Sequence, residues 1–476
     1  MREASIIYCR DESKLFSLLT FILSLILYYN KQINSNSNFN IDGKKIMNLA
    51  KKIKIDIPSD VLHNLWFVSD LCTDLWNGSL EQKTYRRDKN RHLYEQKRDI
   101  PYIKELVPEY KIPSSQIIQN VIISLHEGFD SFFAKRAKGD FLANPPKFKS
   151  KKYFYTQKYS QYGTSFVVEN NILKLAYGKS KKDWLEIPLP KEVELLNNFK
   201  TATIKKEKNK DKYYVSFSYI YNEKPYIPND KTVYFDPGSI TALTGINQNG
   251  KIFEYSISDL RKKNMETYLY IDKLKSKLKK KKKNSSRYNH INKKIDRGFK
   301  KINTRTKMTL SSVANRIIAD NKSANQFKIG KWTTPQTISK TENKIKDKRI
   351  NRAMQNNNPL SKLINILSYK AKMVGKEVSK FDERGTTKTC AMCGKKHKKG
   401  IDPSKRTFKC ENKKCQFEYP RDGHSCLNFV RIYEPALWQS LVGNLPTRTK
   451  KVQFNVFSCK TQSNIVHFKM HGNLLP

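Results

Sequence analysis

Apolar positions along this chain change their period from segment to segment. From Ser59 to about Gly78, Val61, Leu62, Leu65, Trp66, Val68, Leu71 and Leu75 recur at helical spacing behind the polar start Ser59-Asp60. That spacing predicts an amphipathic helix. A second helix is predicted after Pro113-Ser114-Ser115, where Ile117, Ile118, Val121, Ile122, Leu125, Phe129, Phe132 and Phe133 form one apolar face. Between 164 and 222 the pattern shortens to strands at Ser165–Val168, Ile172–Leu175, Thr201–Ile204 and Tyr213–Tyr221, with a hairpin turn at Lys208-Asn209-Lys210-Asp211. Ahead of all this, Leu15 to Tyr29 is an uncharged apolar run of about 15 residues. That is short of the roughly 17–25 a membrane-spanning helix needs. A Ser/Asn-rich linker, Asn34 to Asn40, follows it, and Met47 opens an ordinary basic segment.

Strands return at 232–256: Val233-Tyr234-Phe235 ends in Asp236-Pro237-Gly238, Ile240–Ile246 follows, and Asn249-Gly250 turns the chain into Ile252–Tyr255. A basic helical stretch covers about 258–302, with five lysines in a row at Lys279–Lys283. Phe327–Gly330 reads as a strand, Pro359–Val374 as an amphipathic helix stopped by Gly375, and Glu377–Phe381 as a further strand. The order β-β-β-α-β-α-β from 232 to 381 predicts a mixed α/β sheet of the ribonuclease-H type carrying inserted basic helices.

Charge narrows the partners. The chain has 92 Lys plus Arg against 43 Asp plus Glu in 476 residues, a net charge of +49. Repulsion on this scale opposes a compact state unless a polyanion offsets it. A small-metabolite enzyme has no use for it, and a secreted globular protein would rarely carry it. Nucleic acid is the natural partner, and an anionic membrane surface the weaker one. The chain is no solvated tail, since it holds 25 Tyr, 24 Phe and 5 Trp. One stretch interleaves aromatics with cations. Lys147, Phe148, Lys149, Lys151 and Lys152, just before Tyr153, suit a contact of backbone phosphate and stacked base.

Four of the eight cysteines crowd into one segment as Cys390-x2-Cys393 and Cys410-x4-Cys415. Two close pairs across a loop fit a tetrahedral zinc ion with a closed, structural shell. Such clustering favours a metal in a reducing compartment over a disulfide framework. His397 lies between the pairs. With four thiolates already in place it has no ligand role, and it reads as a surface residue.

Asp236-Pro237-Gly238, the segment Thr386-Thr387-Lys388-Thr389-Cys390, and Tyr419-Pro420-Arg421-Asp422-Gly423-His424, in that order, resemble the TnpB/OrfB family of insertion-sequence proteins. Those are relatives of the type V CRISPR effectors and of the Fanzor proteins. The resemblance runs from about Lys52 to about Ile432 and includes Ile112–Gln116 through Phe133 and Pro146–Ser150. It implies an α/β fold with small β and helical modules, and a RuvC-like nuclease domain with the zinc ribbon inserted before its last helix. The implied divisions are an extension with the apolar run at 1–46, the start of a wedge module and a helical recognition module at 47–150, and a β-rich wedge module at 151–231. They continue with the nuclease domain and its inserted basic helices at 232–382, the ribbon at 383–420, the last nuclease helix at 421–435, and a basic tail at 436–476.

The resemblance also implies RNA-guided DNA cleavage, with a guide RNA from the end of the element and target DNA as partners, inside the cell and without a stable membrane partner. Structural Zn2+ and catalytic Mg2+ are the implied ions, the latter held by carboxylates at the strand and helix ends. Asp236 matches the family's first acid and Asp422 its third. Where most members carry the second, a Glu, this chain has Gly330. Glu383, at the end of the next strand, matches the place where Fanzor-like members carry theirs, and it is the expected second acid. Glu377 begins that strand, away from the expected catalytic end. His424 stands where the family usually has Asn. Two other functions compete. Gly330 favours a nuclease-dead nucleic-acid-binding regulator. A strand-joining transposase is disfavoured by the ribbon between the second and third acids, which is the mark of a transposition accessory.

Overall fold

Strand β1 (Ile46–Ile55) pairs antiparallel with β7 (Tyr213–Asn222) along its whole length, from Ile46 opposite Asn222 to Ile55 opposite Tyr213. This computed structural model describes residues 46–85, 93–331, 358–382, 385–397, 405–456 and 460–467, apart from loop positions 179, 194–195, 197, 208–209, 223, 225, 227–228, 230 and 239–240. Residues 15–29, the apolar run, lie outside them. No helix among the described residues is long and apolar enough to cross a membrane.

The chain divides into two units, Met1–Asn222 and Glu223–Pro476. In the first, helices α1 (Ser59–Tyr85), α2 (Leu93–Arg98), α3 (Ile100–Leu106) and α4 (Ser115–Ala137) accompany two small sheets. One has the order β1-β7-β6-β2, with β2 at Gln157–Tyr159 and β6 at Phe199–Lys206. The other is β3 (Phe166–Glu169), β4 (Ile172–Leu175) and β5 (Leu185–Pro188). The apolar faces predicted for α1 and α4 are buried in one core: Leu65, Val68, Ile118, Val121 and Leu125 are each at most 1% exposed.

The second unit is built on a seven-stranded sheet. Strands β8 (Thr232–Pro237), β9 (Leu243–Asn247) and β10 (Ile252–Ser256) form an antiparallel meander. Strands β11 (Gln326–Gly330) and β12 (Glu377–Phe381) join β8 in parallel. Helices α5 (Ser258–Lys279) and α6 (Ser286–Asp320) come between β10 and β11, and α7 (Leu360–Met373) precedes β12. The basic stretch is therefore a helical hairpin, with the lysine run at its turn, and it extends past the expected 302. A Cβ at Gly298 would come within 2.8 Å of Ile271, so glycine there lets the two helices close.

Beyond Phe381 come the short strands β13 (Thr407–Lys409) and β14 (Glu418–Pro420), then α8 (Arg421–Tyr433) and α9 (Pro435–Val442). The segment expected as a basic tail is a correction. It forms α9, β15 (Arg448–Asn455) and β16 (Lys460–His467), and β15 lies parallel on β10, giving the order β12-β11-β8-β9-β10-β15-β16. Val452 and Phe454 are buried, and Lys450 donates to the buried Asp320 carboxylate at 2.9 Å.

Strand alternation divides the sheet's two faces. Val233, Phe235, Leu243, Phe253 and Phe327 pack against Leu310, Val313 and Ile317 of α6 and Leu363 and Leu367 of α7. Tyr234, Ile246 and Ile252 point the other way, to Cys426, Phe429 and Val430 of α8 and to Cys390, Phe408 and Cys415 beside it. The candidate site lies on this second face.

Candidate metal centre and carboxylate site

The four thiols are brought together. The ligand atoms of Cys390, Cys393, Cys410 and Cys415 all lie within 4.8 Å of one another. The Cys390–Cys415 sulfurs are 3.9 Å apart and those of Cys393 and Cys410 3.7 Å. Four sulfurs about 2.3 Å from one zinc ion would stand about 3.8 Å from each other, so the donor set fits the tetrahedral ion. No group of three carboxylate, thiol or imidazole side chains elsewhere among the described residues is drawn so close.

His397 corrects its surface reading. It is 6% exposed, its Nε2 is 3.6 Å from the Cys410 sulfur, and its ring packs on Phe408 with centroids 5.2 Å apart. The cause is local: its backbone N–H donates to Lys388 O at 2.9 Å, which folds the loop back over the thiols. His424 is fully buried, stacked on Phe408 at 3.6 Å. Its Nε2 accepts from the Ala391 backbone N–H at 3.2 Å, which ties α8 to the turn between Cys390 and Cys393. Burial, with the charges of His397 and Arg431 adding to it, pushes its pKa down to about 3.

Asp236 and Asp422 come to the same place from distant parts of the sequence. Asp236 is the penultimate residue of β8, opposite Thr244 of β9. Asp422 is in the first turn of α8, where the helix N-terminus favours a carboxylate. The fully buried Cys426, one helical turn further on, donates its S–H to Thr244 O at 3.4 Å. Burial raises the Cys426 thiol pKa well above its usual range, with the charges of Asp236, Asp422 and Glu254 adding to the effect.

Two of these neighbours escaped the sequence reading. Arg406, just before β13, holds Asp422 at 2.6 Å, with the Asp422 side chain 21% exposed. Glu254, on β10, stands opposite Thr244 and pairs with Lys451 at 3.7 Å, its side chain 20% exposed. Burial raises the Glu254 pKa, Lys451 works against that, and the Asp422 carboxylate adds to it. No motif announces either residue. Only the strand register could have found Glu254.

Gly330 pairs with Phe381, one residue beyond the pairing of Ile329 with Phe235, so it is in the row of Asp236 with no side chain to offer. The space beside it is aromatic: the Phe381 ring is 5.8 Å from Tyr234, 4.7 Å from Phe429 and 5.3 Å from Tyr433. Glu383 lies outside the described residues. Glu377 is at the opposite end of β12, paired with Gln326.

In the first unit, α1 grips the Lys147–Lys152 loop. Trp76 Nε1 donates to Lys147 O at 3.1 Å, and Asn77 Nδ2 to Lys149 O at 2.9 Å. Lys147, Phe148, Lys151 and Lys152 are exposed, as a nucleic-acid contact requires. Lys149 departs from that expectation. Its ammonium sits 3.5 Å over the Trp76 ring, with Tyr153 at 5.2 Å and Tyr155 at 5.5 Å. Burial there brings its pKa down to about 8. The cage spends this cation on holding the loop.

With this geometry in hand, residues 361–429, from α7 through the ribbon into α8, match the family model of the Cas12f1-like TNB domain. The match bears out the TnpB-like resemblance carried by the motifs. No curated protein matches the chain. Among solved structures, a Cas12f1–sgRNA–target DNA complex is similar at 12% identity and a TM-score of 0.48, over 80% of this chain and 98% of that one. The mini-RNA-guided endonuclease CRISPR-Cas_phi3 is similar at 12% identity and a TM-score of 0.45, over 84% and 94%. C2c1 of Alicyclobacillus acidoterrestris with single-guide RNA is similar at 8% and 0.37, over 78% and 67%.

Proposed function

We propose that this chain is an RNA-guided, metal-dependent DNA endonuclease of the TnpB type, with a RuvC-like site built from Asp236, Glu383 and Asp422. The observation that carries the reading is that Cys426, one turn after Asp422 on α8, donates to the carbonyl of Thr244, the residue opposite Asp236 on the same sheet face. The central strand order β12-β11-β8-β9-β10, with β8 in the middle and its meander to one side, supports the ribonuclease-H-like reading. A four-cysteine ribbon precedes the helix that bears Asp422, and the TNB match spans both.

The donors fit Mg2+, which binds through one or two carboxylates and completes its shell with water and substrate phosphate. Carboxylates set further apart than the four thiols therefore suffice. When bound, the ions would polarise the scissile phosphate and activate water. The chain's own part is to hold the carboxylates. The C-terminal end of β8 fixes Asp236, the first turn of α8 fixes Asp422, and His424 fixes α8 to the ribbon. Arg406 neutralises Asp422 in the resting protein and offers a cation to an incoming phosphate. Guide RNA and target DNA are the proposed partners, and the exposed cations around Phe148 are the proposed backbone contacts in the first unit.

The test is to sequence the RNA that co-purifies, then offer matching duplex DNA with Mg2+. Cleavage should occur, and Asp236→Ala and Asp422→Ala should each reduce it by orders of magnitude while RNA and DNA binding persist. Guided binding without any cutting would overturn the nuclease reading in favour of the regulator, which the missing side chain at Gly330 favours.

A further inference from the structure

The sheet places a carboxylate on the side of Asp236 away from Gly330. Asp236 faces Thr244 across β8 and β9, and Thr244 faces Glu254 across β9 and β10. Cross-strand partners share a face, so the three side chains form one row. Their face is the one α8 covers, as Tyr234, Ile246 and Ile252 show by packing against Cys426 and Phe429. The row continues to Lys451 of β15, opposite Glu254. In the other direction it reaches Gly330.

We infer that Glu254 is a metal-binding carboxylate of the Asp236–Asp422 site, on the side of Asp236 opposite the vacant Gly330 position. This rests on the nuclease reading of that site. Two strand spacings, with β9 between, separate Glu254 from Asp236, about 10 Å at the backbone. Two divalent ions about 3.5–4 Å apart, each about 2.0–2.1 Å from its oxygens, span about 8 Å between outer ligands. A glutamate, longer than aspartate by one methylene, closes the difference. The residue between them helps: Thr244 is short, and its backbone carbonyl is engaged from below by Cys426. Asp422 and Glu254 are also alike in their setting. Each is about one-fifth exposed, and each has one cation beside it, Arg406 or Lys451. Lys451 belongs to the added strand β15, so the sheet extension supplies the charge that holds Glu254 in the metal-free protein.

The test uses Mn2+ as the probe on the full-length, zinc-loaded chain stripped of nucleic acid at high salt, with free Mn2+ followed by electron paramagnetic resonance. Wild type should bind Mn2+, and Asp236→Ala should abolish the binding. Glu254→Gln should weaken it about tenfold or more, and Glu254→Asp should fall between. Lys451→Met separates ligation from pairing, because it breaks the ion pair and keeps the carboxylate. Mn2+ binding that survives Lys451→Met and is lost in Glu254→Gln supports the assignment. Wild-type affinity in a folded Glu254→Gln protein overturns it, as does equal loss in both variants. A chain that binds Mn2+ through Glu254 and never cuts guided DNA would leave this assignment standing and sink the nuclease reading. If Glu254→Gln does not fold, Glu254→Asp with wild-type affinity also overturns the assignment.

Discussion

At the residue scale, the proposed second acid is the sharpest test of the nuclease reading. Glu383→Gln keeps size and hydrogen bonding and removes one charge that would offset the metal ions. Guided cleavage should fall by orders of magnitude, whereas Glu377→Gln, beside Gln326 at the far end of β12, should leave it within about twofold. Cleavage assays on matched duplexes with binding measured in parallel check both. His424 gives a pH test. Its folded pKa, about 3, lies below the ordinary value near 6.5. The unfolded chain therefore takes up a proton that the folded one refuses. The stability linked to this group is whole above pH 6.5 and is lost as pH falls toward 3. A proton on Nε2 would meet the Ala391 N–H it now accepts from. Thermal melts from pH 7.5 to 4.5 should show a shallower loss in His424→Asn than in wild type.

At the scale of elements, the ribbon and the helix that bears Asp422 share one core, since Cys390, Phe408 and Cys415 pack with Leu427 and Phe429. Cys410→Ser, or removal of zinc, should open 385–397 and 405–420 to proteases and weaken target binding. The opposite face, packed on α6 and α7, should stay protected. A chain starting at Met47 should fold and bind RNA as the full chain does, because it keeps nearly all of β1. Circular dichroism and RNA-binding titrations would show this. Much of this architecture was legible in the sequence: β12 begins and ends where its apolar pattern does, and α7 within one residue. Strand β1 was not. Its inward positions are Met47, Leu49, Lys51, Ile53 and Ile55, and the half-buried Lys51 breaks the alternation. Strand β15 was hidden the same way, since Lys450 and Lys451 lend it the look of a solvated tail. The cysteine pairs were legible because the two thiols of each pair are close in sequence. Glu254 and Arg406 were not, because strand register brings in the one and an ion pair the other, and neither leaves a motif in the sequence. The cage around Lys149 was not legible, because a caged lysine and a phosphate-binding one have the same neighbours in sequence.

At the scale of the whole molecule, charge governs. With a net charge of +49, nucleic-acid affinity should fall steeply with salt, each neutralised phosphate contributing a slope of about −0.7 to −0.9 in log K against log salt. Titrations between low and moderate salt measure it, and a slope near zero would contradict a polyanionic partner. The parallel pairing of β10 with β15 has a consequence for synthesis. β10 ends at Ser256 and β15 begins at Arg448, roughly 190 residues later. At about 5–20 residues per second, the ribosome takes about 10–40 s to cover that distance. Throughout that time the outer edge of β10 has no strand to close it, and an open strand edge is a template for pairing with another chain. The nascent protein therefore carries a sticky edge for much of its birth, and a message cut short before β15 yields a chain that never loses it.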